Sequence, residues 1–104
     1  MRLSQDQING IVKAIDHFVH LSRTQLYLFG SRTKDHLKGG DIDLLLLTEL
    51  ESLILEKHHI LAGIKKEIGD QKIDLKIITF NNAKNDIFVT MIMPDTLLLH
   101  QWTL

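Results

Sequence analysis

Four consecutive leucines, Leu44 to Leu47, limit what this chain can fold into more than any other stretch. They sit in "DIDLLLLT", residues 41–48, which reads as a β-strand. Successive side chains on a strand point to opposite faces, so an unbroken apolar run asks for cover on both sides. That places the strand in the middle of a sheet with helices packed on it. The same stretch opens with Asp41 and Asp43, which share one face while Ile42 and Leu44 point the other way. Two neighbouring carboxylates at the mouth of a buried strand repel each other and are costly to desolvate.

The rest of the pattern supplies the cover. Ser4 and Gln7 form a capping box, and Ile8, Ile11, Val12, Ile15 and Val19 recur at helical spacing, so residues 5–20 read as a helix despite Gly10. Residues 24–30, "TQLYLFG", read as a strand ending at glycine. Residues 31–37 suit a short helix stopped by Gly39 and Gly40. Thr48 and Glu51 suggest a second capping box before a helix marked by Leu53, Ile60, Leu61, Ile64 and Ile68, with Gly69 as its stop. "KIDLKIITF", residues 72–80, alternates as a third strand. Residues 81–93 read as a helix capped by Asn81 or Asn82 and ended before Pro94, and residues 96–102 as an edge strand. The expected fold is α/β (α+β): a small mixed sheet of about four strands with helices packed on it, in one domain over residues 1–104. Phe88, Met91, Met93, Leu97, Leu99 and Trp102 are expected to be mostly core, with an interface as the alternative.

Composition narrows the function. A net charge of −1 argues against a general electrostatic nucleic-acid binder. With no cysteine there are no disulfides or thiolate metal sites, which fits a cytoplasmic protein. No apolar run reaches the ~18 residues that a membrane span needs. The six histidines lack cysteine or acidic partners at ligand spacing, so His17, His20, His58 and His59 read as surface residues.

The repulsion between Asp41 and Asp43 has a chemical remedy. Mg²⁺ prefers carboxylate oxygens and shares its shell with substrate phosphates. Asp74 lies on the polar face of the third strand; if that strand neighbours residues 41–48, three carboxylates meet. Such a trio can hold two ions ~3.5 to 4 Å apart, the arrangement that activates an attacking oxygen and stabilises a leaving one. Asp74 is the member placed to take the acceptor's proton. Upstream, Gly30 permits close backbone approach, and Ser31 with free amides at a helix start suits a phosphate. Arg32 and Lys38 divide evenly between phosphate contacts and solvated surface. Each feature has a plainer reading: the aspartates as a polar strand start, Gly30–Ser31 as a capped turn, Asp74 as a solvated residue between lysines.

Phe29-Gly30-Ser31, a gap of nine residues, then Asp41-Ile42-Asp43, with Asp74 on a later strand, resembles the nucleotidyltransferase superfamily that includes DNA polymerase beta. The Gly-Ser-Arg opening and small size look most like the minimal nucleotidyltransferases paired with HEPN-domain proteins in toxin–antitoxin systems. The resemblance implies ATP as substrate with Mg²⁺, and Asp41, Asp43 and Asp74 as catalytic metal ligands. It implies nucleotide binding by Gly30, Ser31, Arg32 and Lys38, and AMP transfer to a tyrosine of a HEPN-type toxin that the chain would silence as its antitoxin. The gap is short for the family, and Gly40 stands where serine is common. The alternative is a toxin-neutralising binding module of the same fold with little or no chemistry. Transfer to an RNA or small-molecule hydroxyl is disfavoured by the near-neutral charge and by the absence of a second domain to clasp a small acceptor. For the same reason the acceptor surface is expected to come from a macromolecular partner.

Overall fold

The computed structural model describes residues 3–19, 21–34 and 40–103, with the backbone alone at residue 31. Lys38, His20 and the expected helix beyond residue 34 lie outside the described residues. The elements run α1 (Gln5–Val19), β1 (Thr24–Phe29), a 3-10 turn (Gly30–Thr33), β2 (Ile42–Thr48), a 3-10 segment (Glu51–Glu56), α2 (Lys57–Ile68), β3 (Ile73–Thr79), α3 (Phe80–Ala83), α4 (Ile87–Ile92), a short 3-10 turn (Met93–Asp95) and β4 (Leu97–Trp102). The sheet is mixed, in the order β3-β2-β1-β4. β2 and β3 are parallel, and β1 is antiparallel to both β2 and β4. Among the described residues, no helix is long and apolar enough to cross a membrane.

The leucine run behaves as its pattern demands. Ile42, Leu44 and Leu46 are buried on one face against Ile11 and Ile15 of α1 and Ile60 and Ile64 of α2. Leu45 and Leu47 are buried on the other, with Ile78 and with Val89 of α4. The polar side chains of the core are paired: the Thr24 and Thr48 hydroxyls lie 2.9 Å apart across β1 and β2.

Local chemistry sets the helix ends. In the first capping box the Gln7 N–H donates to Ser4 Oγ at 3.1 Å, and the Ser4 N–H to Gln7 Oε1 at 3.0 Å. Gly69 ends α2 at φ 88°, donating its N–H to Lys65 O at 2.9 Å. Gly10 is explained by packing. A Cβ there would stand 2.6 Å from Ile68 Cγ2 and 3.3 Å from Glu67 Cβ, so glycine lets α1 cross close to α2. Ile68 is branched at Cβ and has few rotamers with which to yield. Gly10→Val is therefore expected to cost about 1–3 kcal/mol of stability, measured by urea unfolding.

Three sequence expectations need correction. Thr48 is not a capping-box residue: its hydroxyl is engaged with Thr24 and accepts the Leu50 N–H at 3.0 Å. Residues 51–56 are accordingly a 3-10 segment whose start carries no side-chain cap. The helix expected over residues 81–93 is two, because Asn85 and Asp86 donate back to Asn82 O and Ala83 O and close a turn. Thr79 caps the first through Asn82 N at 3.1 Å, and Asp86 the second through Val89 N at 2.9 Å, so neither Asn81 nor Asn82 is the cap. Finally, the C-terminal apolar residues are not mostly core. Phe88 is 43% exposed, Met91 71% and Leu97 38%, while Met93, Leu99 and Trp102 are half-buried. Helix α4 is one and a half turns long and buries only Val89, so its other faces remain in solvent.

Candidate active site

The register of the parallel pair decides the site. Asp43 on β2 and Asp74 on β3 are direct neighbours, each the second residue of its strand. Side chains on adjacent parallel strands at matched register point to the same face. Asp41, two residues before Asp43, falls on that face just ahead of β2. Carboxylate oxygens of Asp41, Asp43 and Asp74 all lie within 4.8 Å of one another. The condition that β3 neighbour β2 is therefore met.

Electrostatically the three carboxylates oppose one another. Burial pushes the Asp43 carboxyl above the usual carboxylate range, and the charges of Asp74 and Asp41 push it further. The Lys72 ammonium stands 3.6 Å from Asp41 Oδ2 but is mostly in solvent, where an ion pair contributes little. Oxygen ligands this close, with one of them resisting ionisation, suit a divalent cation: hard, oxygen-seeking and strong enough to return the trio to its ionised form.

Gly30 is tied to the same carboxylate. It adopts φ 77°, which L-residues with a side chain rarely take. A Cβ there would run into Asp43 Oδ2 and stand 3.1 Å from Asp43 Cγ. The pairing of Phe29 with Asp43 across β1 and β2 makes the approach unavoidable. The turn that follows is closed by the Thr33 hydroxyl donating to Gly30 O at 2.8 Å. Ser31 lies in that turn, beside the acidic trio along the chain path. Arg32 reaches back across the loop, donating from Nη2 to Gly40 O at 3.3 Å, next to Asp41.

A cleft of about 470 Å³ opens over Asp43 and Asp74, lined also by Phe29, Leu75, Lys76 and Phe88. Its size suits a small-molecule ligand. The Phe29 and Phe88 rings meet edge to face at a centroid separation of 5.6 Å. Sequence reasoning gave Lys76 no role and placed Phe88 with the core or an interface, neither of them in the site. The first was detectable, because Lys76 lies two residues after Asp74 and must share its face. The second was not, since nothing in the sequence brings α4 over β1. Among the described residues no histidine joins the acidic trio: His17, His58 and His59 are exposed, and His59 Nδ1 lies 2.9 Å from Glu56 Oε2.

A mixed sheet with helices on both faces, a glycine turn leaving one strand and three aspartates converging from the next two is an architecture built for phosphate chemistry. Residues 7–96 match the nucleotidyltransferase domain family, and the chain belongs to that family. No curated protein and no solved structure matches the chain significantly.

Proposed function

We propose that this protein transfers AMP from ATP to a hydroxyl of a partner protein, with Asp41, Asp43 and Asp74 as the catalytic set. The observation that carries the reading is the meeting of these three carboxylates, two of them lining one cleft, beside a glycine whose missing side chain leaves room for Asp43. In this reading Asp41, Asp43 and Asp74 hold Mg²⁺, as the family commonly does. The bound ions supply the positive charge against which the triphosphate and the developing charge are stabilised. The turn at Gly30 and Ser31 takes the phosphates, with Arg32 and Lys38 as its cations. Asp74, the most exposed of the three, accepts the acceptor's proton.

The partner follows from the surface and from the family resemblance. Ile87 is 78% exposed and Met91 71%, both on α4, which also carries Phe88 into the cleft. Exposed apolar side chains grouped beside a reaction centre suit a protein acceptor better than a polar metabolite. The minimal nucleotidyltransferase resemblance makes that acceptor a tyrosine of a HEPN-type toxin, with the present chain as its cytoplasmic antitoxin. Ile87→Glu combined with Met91→Glu is expected to weaken association with the partner by about tenfold or more, as charges at an apolar contact do, with little change in melting temperature.

The test is intact mass of a HEPN-type partner after incubation with the protein, ATP and Mg²⁺, followed by peptide mapping. A gain of one or more AMP units on tyrosine supports the reading. Neutralisation of the toxin with no mass gain would make the chain a binding module instead.

A further inference from the structure

We propose that Lys76 stabilises the acceptor oxygen as it attacks, and that Asp86 is the positioning residue that aims its ammonium; this rests on the transferase reading above. The sheet order places the Gly30 turn, Asp43 and Asp74 in sequence across one end of the sheet, from β1 through β2 to β3. Displacement at phosphorus is in line, with attacking and leaving oxygens on opposite sides. With the phosphates at the Gly30 turn, pyrophosphate departs on the β1 side and the acceptor enters on the β3 side. Lys72 and Lys76 both stand on that side, and Lys76 is the one that lines the cleft. It shares the face of β3 with Asp74 and lines the same cleft.

The ammonium is held rather than loose. Its Nζ stands 3.6 Å from Asp86 Oδ2 and 5.5 Å from the centre of the Phe88 ring. Asp86 is itself fixed, because its Oδ1 accepts the Val89 N–H at the start of α4. At 3.6 Å the Asp86 contact is an ion pair and not a hydrogen bond, so it holds the charge without using any of the ammonium's three donors. An ion pair is not needed to anchor α4, since Val89 is buried with Leu45, Leu47 and Ile78.

The acceptor hydroxyl gives its proton to the Asp74 carboxylate. Its oxygen forms a bond to the α-phosphorus, and the bond from that phosphorus to the bridging oxygen breaks, its electron pair leaving with pyrophosphate. Lys76 keeps its proton throughout and donates a hydrogen bond to the acceptor oxygen while charge develops there. Such a preorganised donor is worth most in the transition state.

Single-turnover transfer from ATP to a HEPN-type partner, and in parallel to N-acetyltyrosinamide, tests this, beside the equilibrium affinity for an α,β-methylene ATP analogue. Lys76→Met is expected to slow transfer about 100-fold, with analogue affinity changed by no more than about twofold. Lys76→Arg should recover the rate to within about tenfold, since the charge and donors remain. Asp86→Asn keeps a good helix cap and removes the pairing charge. It should slow transfer by about tenfold in the wild-type background and have little further effect in Lys76→Met. Full activity of Lys76→Met would overturn the assignment while leaving the transferase reading intact. So would a loss that appears in analogue affinity, or one that tracks the melting temperature and is not rescued by arginine. Wild-type protein that transfers nothing to either acceptor would overturn both.

Discussion

Asp43→Asn is expected to abolish nucleotidyl transfer and, without divalent ions, to raise the melting temperature. The two effects have one cause. Asp43 is half-buried and stands between the other two carboxylates, with Asp74 beside it in register and Asp41 two residues away. Its folded-state pKa lies above the ordinary value, chiefly through burial. A raised carboxyl pKa means that the folded state binds the proton more tightly than the unfolded chain. The associated stability is present below the unfolded value and is lost as pH rises through the folded one. Above that folded value the metal-free protein carries a charge that the unfolded chain accommodates better, which asparagine removes while offering its amide to the flanking carboxylates. The variant should fall about a thousandfold or more in transfer rate, comparable with losing a principal electrostatic stabiliser. Metal should discriminate further. At a hundredfold excess over its dissociation constant a ligand adds about 2.7 kcal/mol, so Mg²⁺ or Mn²⁺ with ATP should raise the wild-type melting temperature clearly. It should leave the variant nearly unmoved. A variant less stable than wild type in EDTA, or one that still gains from metal, would contradict this.

The second large effect is expected from Gly30→Ala, which adds one carbon. Two costs coincide at this position. The backbone sits at φ 77°, which costs a side-chain-bearing residue about 1–2 kcal/mol. The new Cβ also lands on the Asp43 carboxylate. The carboxylate or the turn must then shift, and a displacement of about 1 Å in a catalytic constellation can cost 100-fold in rate. Gly69→Ala is the control. It too sits at positive φ, 88°, but its Cβ would meet nothing within 4 Å. Both variants should lose stability in urea, Gly30→Ala the more, and only Gly30→Ala should lose activity. Equal activity in the two would mean that the Gly30–Asp43 approach does not matter to the reaction.

What was legible in the sequence follows physical periodicity. The leucine run fixes two covered faces, and the two-residue period sets Asp41 and Asp43 together. The capping box at Ser4 and the glycine stop at Gly69 are local chemistry and are read locally. Long-range choices are not. The sequence does not state that β3 pairs with β2 in parallel, and Asp74 joins the site only through that pairing. Thr48 looked like a cap because the spacing to Glu51 is right, but burial against Thr24 outweighs a surface cap. The segment after β3 looked like one helix because an asparagine cap opens it and Pro94 closes it, with Phe88, Val89 and Met91 between them. The turn at Asn85 and Asp86 resets it, and only Val89 of these three reaches the core. Phe88 instead reaches the cleft, a destination that no local pattern encodes.

The most direct measurement compares ATP labelled at the α-phosphate with ATP labelled at the γ-phosphate. Each is incubated with Mg²⁺, a HEPN-type partner and either the wild-type protein or the Asp41→Asn/Asp43→Asn variant. Nucleotidyl transfer by the aspartate trio predicts α-label on the partner, γ-label only in released pyrophosphate, and neither change with the variant. Protein-bound γ-label, or α-label transferred equally by the variant, would show that the chemistry is not that of these three carboxylates.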